Sequence, residues 1–548
     1  LDILLTTNPS TKYTIDANNN GLTPVSDTTT ATAVLGVENL VSGNANDRVT
    51  LDQTQATANN MIDLGAQQDN SELATLREGA DIVTINHADV TNDGVVNATD
   101  VPLRPTLTLA VQGTSMSQLT STGGALGKMS FTDTFKNVEI VDLTAAATSD
   151  RFDDVLDVSA AGGVTVNYST ANAVGKSLGG GNAPVTTVAQ LDANTLDAGG
   201  IAPNGALGSK LITVNGITLL ENVIGSASAD RVIIGNVMQA GVYPADDSPV
   251  LTMWDVATNT ASGFNAAASQ WADQGLYTFS LGGGVDSLDY FDETDEVVVS
   301  VDTSADDTDL VFVGNGERID NAVSVERYYA GQTAGNSWID LANATVATTI
   351  QFSKEANSNL PANDAQEPDG NDGTTLVDLT RAAEVRNTAD NTVYATFVDR
   401  TGNGIVPAAL WTNVQGSNLA ETVIFTDNET AAAHQLQLQA GANRVDYSAL
   451  TATITANIGA TDVTTVVLQQ THTVNGDTIL QNFSTDPAAN QLTIVGTTRA
   501  GDQLDVTALT NGAVARANPL LPTTSQVDPL FHVVNLATGQ VTESLYGQ

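Results

Sequence analysis

Residues 220–234, LENVIGSASADRVII, align without a gap on residues 37–51, VENLVSGNANDRVTL. Glu221 falls on Glu38, Asn222 on Asn39, Asp230 on Asp47, Arg231 on Arg48 and Val232 on Val49. Each copy is a short apolar run, a polar turn and a second short apolar run, which reads as strand, turn, strand. A unit this small cannot bury its apolar face alone, so neighbouring copies must stack to complete a core. A looser copy, NVEIVDLTAAATSDRFDDVLDVS (137–159), carries Glu139, Asp150 and Arg151. Residues 325–342 and 420–438 read as further drifted copies. A second phrase recurs behind these units: LDVSAAGGVTVNYS (156–169), IDLANATVATTIQF (339–352) and VDYSALTATITANIGA (445–460).

Outward from these repeats the pattern persists. VTVNY (164–168), KLITVNGITLL (210–220), EVVVSV (296–301) and QLTIVG (491–496) alternate apolar and polar residues and are bounded by Asn, Asp or Gly, as short strands are. Helical periodicity is scarce, with SELATLRE (71–78) and the stretch around Ala266–Ala272 as the candidates. The expected fold is therefore mostly β and multi-domain, built of β-sandwich or β-solenoid units with degenerate repeats and few short helices.

The 548 residues hold 63 acidic and 19 basic side chains, a net charge of −44. Such a chain repels nucleic acid and anionic lipid and attracts divalent cations. The acidic residues recur in clusters, DRFDDVLD (150–157), DYFDETDE (289–296) and DTSADDTD (302–309). These read either as a solvated acidic surface or as weak cation sites, and the last two as surfaces that ions bridge between copies. There is no cysteine, which fits export to an oxidising exterior. No apolar run reaches 18 residues, so no membrane span is expected.

Two loops have the spacing of calcium ligands. Such a loop places oxygens at positions 1, 3, 5, 7, 9 and 12 with glycine at 6. DVTNDGVVNATD (89–100) supplies Asp89, Thr91, Asp93, the carbonyl of Val95, Asn97 and Asp100, with Gly94 at the turn. Asp100 stands where Glu is usual, so it reaches an ion with one oxygen or through water. DANNNGLTPVSD (16–27) supplies Asp16, Asn18, Asn20, Leu22 and Asp27 around Gly21. Pro24 occupies its ninth position, where water completes the shell. The alternative for 89–100 is an ordinary Asn/Asp-rich turn, and for 16–27 a polar loop before a strand. DRTGNGIVPAAL (399–410) begins similarly but ends in Leu410 and reads as a plain turn. The 89–100 loop resembles a dockerin calcium loop, in which Asp at position 12 is normal. That resemblance covers one loop.

The phrase E-N-apolar-x-G-x-x-x-x-D-x-apolar, followed by V-D-Y-S-x-A, resembles the haemolysin-type (RTX) calcium-binding secreted proteins of bacteria. GDTILQNFSTDPAANQLTIVG (476–496) and GDQLDVTAL (501–509) resemble the last turns of such proteins. LGGGVDSLDYF (281–291) is nearest to the family's GGxGxD nonapeptide, with Val285 in place of the last glycine. The resemblance implies Ca2+ as the bound ion, type I export and a role at the cell surface. Without regular nonapeptides, the chain is similar in character to surface-layer and surface-fibre proteins. On this reading the chain divides into 1–219, an N-terminal β region with calcium loops; 220–419, a middle β repeat region; and 420–548, a C-terminal RTX-like region.

Catalytic motifs are scarce. The four histidines, His87, His434, His472 and His532, form no HExxH pair. GKSLG (175–179) matches a nucleophile elbow around Ser177 but lacks the preceding apolar strand. The expected function is therefore structural and non-enzymatic: an extracellular protein of the bacterial surface that assembles with itself into a layer or fibre, stabilised by calcium. Two alternatives stand beside it. One is a calcium-dependent adhesin that binds cell-surface polysaccharide or cells. The other is the non-catalytic part of an exported hydrolase.

Overall fold

The computed structural model describes residues 4–6, 12–17, 33–35, 39–41, 47–52, 59–64, 82–86, 105–112, 116–123, 131–138, 140–143, 154–161, 164–168, 195–197, 211–215, 220–234, 254–255, 260–261, 277–290, 293, 296–304, 307–313, 318–329, 337–352, 366–368, 376–401, 411–426, 433–439, 441–457, 461–464, 467–474, 477–483, 490–497, 503–505, 529–535 and 540–546. Every regular element among them is a β-strand. The two helical stretches expected at 71–78 and 266–272 lie outside the described residues.

The strands form two long ladders, a front and a back sheet, and the chain passes from one to the other at every coil. Named by first residues, the front rungs run 39, 61, 131, 116, 105, 155, 222, 277, 318, 308, 297, 337, 411, 435, 477, 467, 455 and 503. The back rungs run 12, 47, 82, 140, 211, 195, 165, 231, 287, 327, 393, 376, 348, 422, 441, 490, 529 and 540. Two short strands, Thr461–Thr464 and Gln366–Pro368, bond beside the ladders. No pairing among the described residues closes either ladder into a ring. The arrangement is a two-sheet solenoid. Most neighbours are parallel, as they must be when successive coils run the same way.

Where the numbers fall, the chain has folded back on itself. In the front sheet 131, 116 and 105 form an antiparallel meander, and so do 318, 308, 297 and 477, 467, 455. The back sheet has 211, 195, 165 and 393, 376, 348. Each meander fills three rungs, and its last strand in sequence bonds the earlier coil. Those in the front sheet recur every six rungs and carry an aspartate at the same place. Asp133, Asp320 and Asp477 are all buried, and Asn137 and Ser324, each four residues beyond its aspartate, share a φ near +56° and +55°. Meanders alternate between sheets, which keeps the two ladders in step. The ladders run without interruption across residues 219/220 and 419/420.

The opening repeat lands as its alignment requires. Asn39–Val41 and Asn222–Ile224 are front rungs, while Asp47–Asp52 and Arg231–Ile233 are back rungs. The drifted copies are out of phase. Ile140–Asp142, Arg327–Tyr329 and Thr422–Phe425 follow the same Glu-containing phrase but belong to the back sheet. The strands of both sheets alternate with period two and bury one face, so the phrase marks a strand without saying which sheet it enters.

The second phrase is a corner. Asp157, Asp340 and Asp446 each accept, on Oδ1, the amide of the residue two ahead (Ser159 2.9 Å, Ala342 2.9 Å, Ser448 2.8 Å). Asp302 does the same for Ser304 at 2.8 Å. This Asx turn ends the strand with a side-chain acceptor where the ladder can supply none. Between the sheets lies one apolar cluster, from Leu40 to Leu492. Its rings stack rung upon rung: Phe352 on Phe425 at 5.3 Å and Phe425 on Tyr447 at 4.8 Å, with interplanar angles of 12° and 4°.

Candidate functional site

Coil stacking also aligns polar residues, and the densest such alignment is a column of carboxylates at one corner. Asp230, Asp286 and Glu326 each immediately precede a back rung on three consecutive coils. Asp230 accepts the amide of Val164 on the coil before it at 2.7 Å. The amide of Asp230 is taken by Asp286 Oδ1 at 2.6 Å, and that of Asp286 by Glu326 Oε2 at 2.7 Å. Every acid thus caps the backbone of the coil before it. Asp230 is further held by the amide of Ser226 at 2.5 Å and its hydroxyl at 3.0 Å.

The same device recurs where NVQGSNLAETV (413–423) matches NVIGSASADRV (222–232) residue for residue in spacing. Ser417 donates its amide, at 2.9 Å, and its hydroxyl to Glu421 Oε1. The amide of Glu421 goes to Asn443 Oδ1 on the next coil at 3.0 Å. Asparagine and carboxylate are interchangeable as acceptors here. The carboxylates have a cost that asparagine lacks, because the coils bring them close together out of water.

That cost is visible in their titration. Burial raises Asp230, and raises Asp286 to about 7, with the charges of Asp230 and Glu326 adding to the rise and Arg327 opposing it. Burial likewise raises Glu326, and raises Glu421 to about 7. The second oxygens, Asp286 Oδ2 and Glu421 Oε2, are buried and have no hydrogen-bond partner. Beside the column, Asp309 takes the amide of Asp302 at 2.6 Å and the hydroxyl of Tyr328 at 2.6 Å. Burial raises it to about 8.

Among the described residues, each acidic run of the sequence places some of its carboxylates inside the fold and leaves others part-buried or exposed. In DYFDETDE, Asp289 and Glu293 are buried. Asp289 forms an ion pair with Arg231, whose guanidinium also lies 4.8 Å above the Tyr329 ring. In DRFDDVLD, Asp154 is buried and accepts the amide of Leu107 at 2.6 Å. In DTSADDTD, Asp309 is buried while Asp307 is exposed. Counting charges along the sequence could not separate these. The missed signal was the recurrence of Gly-Ser four residues before an acid, at 225–230 and 416–421.

Of the histidines, His434 is buried against Phe352 and Phe425. Its Nδ1 lies 2.9 Å from Asp477 Oδ1, and Tyr447 donates its hydroxyl to Asp477 Oδ2 at 3.0 Å. All three side chains are enclosed, so the group satisfies itself inside the core and reaches no substrate. Ser177, His87 and the whole 89–100 loop, with Asp89, Thr91, Asp93, Val95, Asn97 and Asp100, lie outside the described residues. So do Asn18, Asn20, Leu22 and Asp27 of the other loop. Asp16 falls within the strand Lys12–Ala17, opposite Arg48 in register. Among the described residues, no three His, Asp or Glu side chains gather around one point as metal ligands would. No helix among them is long and apolar enough to cross a membrane. The chain matches no protein-family model and no curated protein.

Proposed function

We propose that this chain is a secreted, RTX-like structural protein, exported by a type I route to the bacterial surface, where copies assemble into a layer or extracellular fibre. The observation that supports this best is the state of the two ladders. At both ends of both sheets the outermost described strand is bonded on one side only. An unpaired edge is a template for another strand, and proteins that stay monomeric normally block it.

Calcium is the proposed ion, held by the 89–100 loop and more weakly by the 16–27 loop. Its role is to offset the repulsion between copies at −44 and to fix these loops. Changing Asp89 and Asp93 together to Ala is expected to lower the bound calcium by one ion per chain, counted by calorimetry or native mass spectrometry. An unchanged count would remove the site. Light scattering on a calcium titration tests the assembly itself. Growth in mass with calcium is expected, and a constant monomer mass would reject the reading.

A further inference from the structure

One row on the outer face of the front sheet is polar where its surroundings are not. Register sets Ser300, Asp340, Gln415 and Gln437 side by side on four consecutive rungs, with Leu310 before them and Leu480 after. Val299, Ile339, Val414 and Leu436, one position earlier on the same strands, belong to the core between the sheets. Alternation therefore turns the polar row to the outside. It is enclosed all the same: Ser300, Asp340 and Gln415 are 8%, 3% and 2% exposed, and Gln437 is part-buried. Val298 and Trp338, two positions before Ser300 and Asp340, join Phe312, Ile319 and Leu310 in a separate apolar cluster on this outer face.

Acceptors on this row lack donors. Asp340 takes the amide of Ala342 at 2.9 Å and bonds the Ser300 hydroxyl. Gln415 donates Nε2 to the carbonyl of Gly416 at 3.4 Å. That contact fixes the orientation of the amide, because the reverse would set two carbonyl oxygens together. Gln415 Oε1 and Gln437 Oε1 are both buried, and neither has a hydrogen-bond partner. Two buried amide oxygens left unpaired on adjacent rungs cost stability. A positively charged ligand removes that cost, and the Asp340 carboxylate on the rung beside Gln415 favours one.

The geometry points to a cation site on this row, in which Gln415 Oε1, Gln437 Oε1 and the Asp340 carboxylate hold a divalent ion of the calcium class. Adjacent rungs lie about 4.8 Å apart. That is about twice a calcium–oxygen bond of about 2.3–2.6 Å, so an ion seated between rungs reaches an oxygen from each. Magnesium, at about 2.1 Å, falls short of the rung spacing. Calcium also accepts carboxylate and amide oxygens together and completes its shell with water. The site is separate from the 89–100 and 16–27 loops and draws its one carboxylate from outside the acidic runs of the sequence.

Trp338, two residues before Asp340 on the same face, reports on this row. Terbium is a calcium mimic that emits when a neighbouring indole is excited. It is titrated into the calcium-stripped full chain at pH 8, above the value of about 6 to which burial raises Asp340. Sensitised emission that excess calcium displaces is expected, and its absence would overturn the inference. Gln415→Leu combined with Gln437→Leu should lose most of that emission, and calorimetry should count one calcium fewer per chain. Trp338→Phe should lose the emission and keep the count. Changing Asp89 and Asp93 to Ala should leave the emission in place, so the loop assignment and this one fail independently.

Emission that survives in the double leucine variant arises elsewhere, as at Glu296, to which Trp338 is hydrogen-bonded, and overturns the inference. An unchanged calcium count does the same. If that variant also melts higher than the parent in calcium and in chelator alike, the two amide oxygens are simply unpaired. Should it fail to fold, Gln415→Glu decides. This change keeps an oxygen in place and adds a charge, so it should bind calcium several-fold more tightly. Its melting temperature should then rise on adding calcium by more than the parent's does. An equal or smaller rise would overturn the site.

Discussion

Gly225→Ala is expected to destabilise the central coils by about 3 kcal/mol or more, at the upper end of what overpacking costs. A Cβ at this position would lie 2.2 Å from the carbonyl oxygen of Leu281 and 2.5 Å from its Cα. Both are backbone atoms of the next coil, so no side-chain rotation relieves the clash. The coils would have to part, which strains the bond from the Gly225 amide to the Ser280 carbonyl at 2.7 Å. The adjoining corner supplies its own control. Gly283→Ala meets nothing within 4 Å and should leave stability within about 1 kcal/mol of the parent. Thermal unfolding, together with hydrogen exchange across 222–234, measures both. Equal behaviour of the two variants would show that coil contact at this corner is looser than described.

Raising the pH from about 4 to 8 is expected to lower the melting temperature steadily. The buried acids favour their neutral form in the folded chain, with values raised to about 6 at Asp340, about 7 at Asp286 and Glu421, and about 8 at Asp309. In the unfolded chain they ionise near 4. Below that, both states are protonated and the stabilisation is fully present. As the pH climbs through the folded values it is lost, because the unfolded chain has already released protons that the folded one still holds. Each such group contributes a slope of up to about 1.4 kcal/mol per pH unit. Asp286→Asn combined with Glu421→Gln keeps the acceptors for Asp230 and Ser417 and removes two titrating groups. This double variant should be flatter in pH and more stable than the parent at pH 8. The scan is run in chelator at fixed ionic strength, so that neither calcium nor screening contributes. A parent whose stability rises with pH, or a double variant with the parent's slope, would contradict the buried column.

The strand content was legible because alternation and turn residues are local. The pairing of 37–51 with 220–234 was legible because those copies keep the same spacing and enter the same sheets. The phase of the other copies was not. Glu139, Glu326 and Glu421 precede back rungs whereas Glu38 and Glu221 precede front ones, and a period-two strand looks the same in either sheet. The meanders were invisible for a related reason. Val155–Asp157 bonds Thr108–Ala110 rather than the nearer Phe131–Lys136, and that choice depends on where the chain returns. The candidate site was half legible. Asp230 stood out in the alignment, but its burial depends on Asp286 and Glu326 arriving from 56 and 96 residues further along. Asp154, Asp289, Glu293 and Asp309 could not be told from their exposed or part-buried neighbours, because sequence counts charges and cannot see which ones the next coil covers.

Electron micrographs of the purified chain, recorded with calcium and again after chelation, test self-assembly most directly. Ordered filaments or sheets with calcium, loosening or shortening when it is withdrawn, are the predicted result. Dispersed single particles in both conditions, at protein concentrations well above those used for imaging filaments, would contradict it.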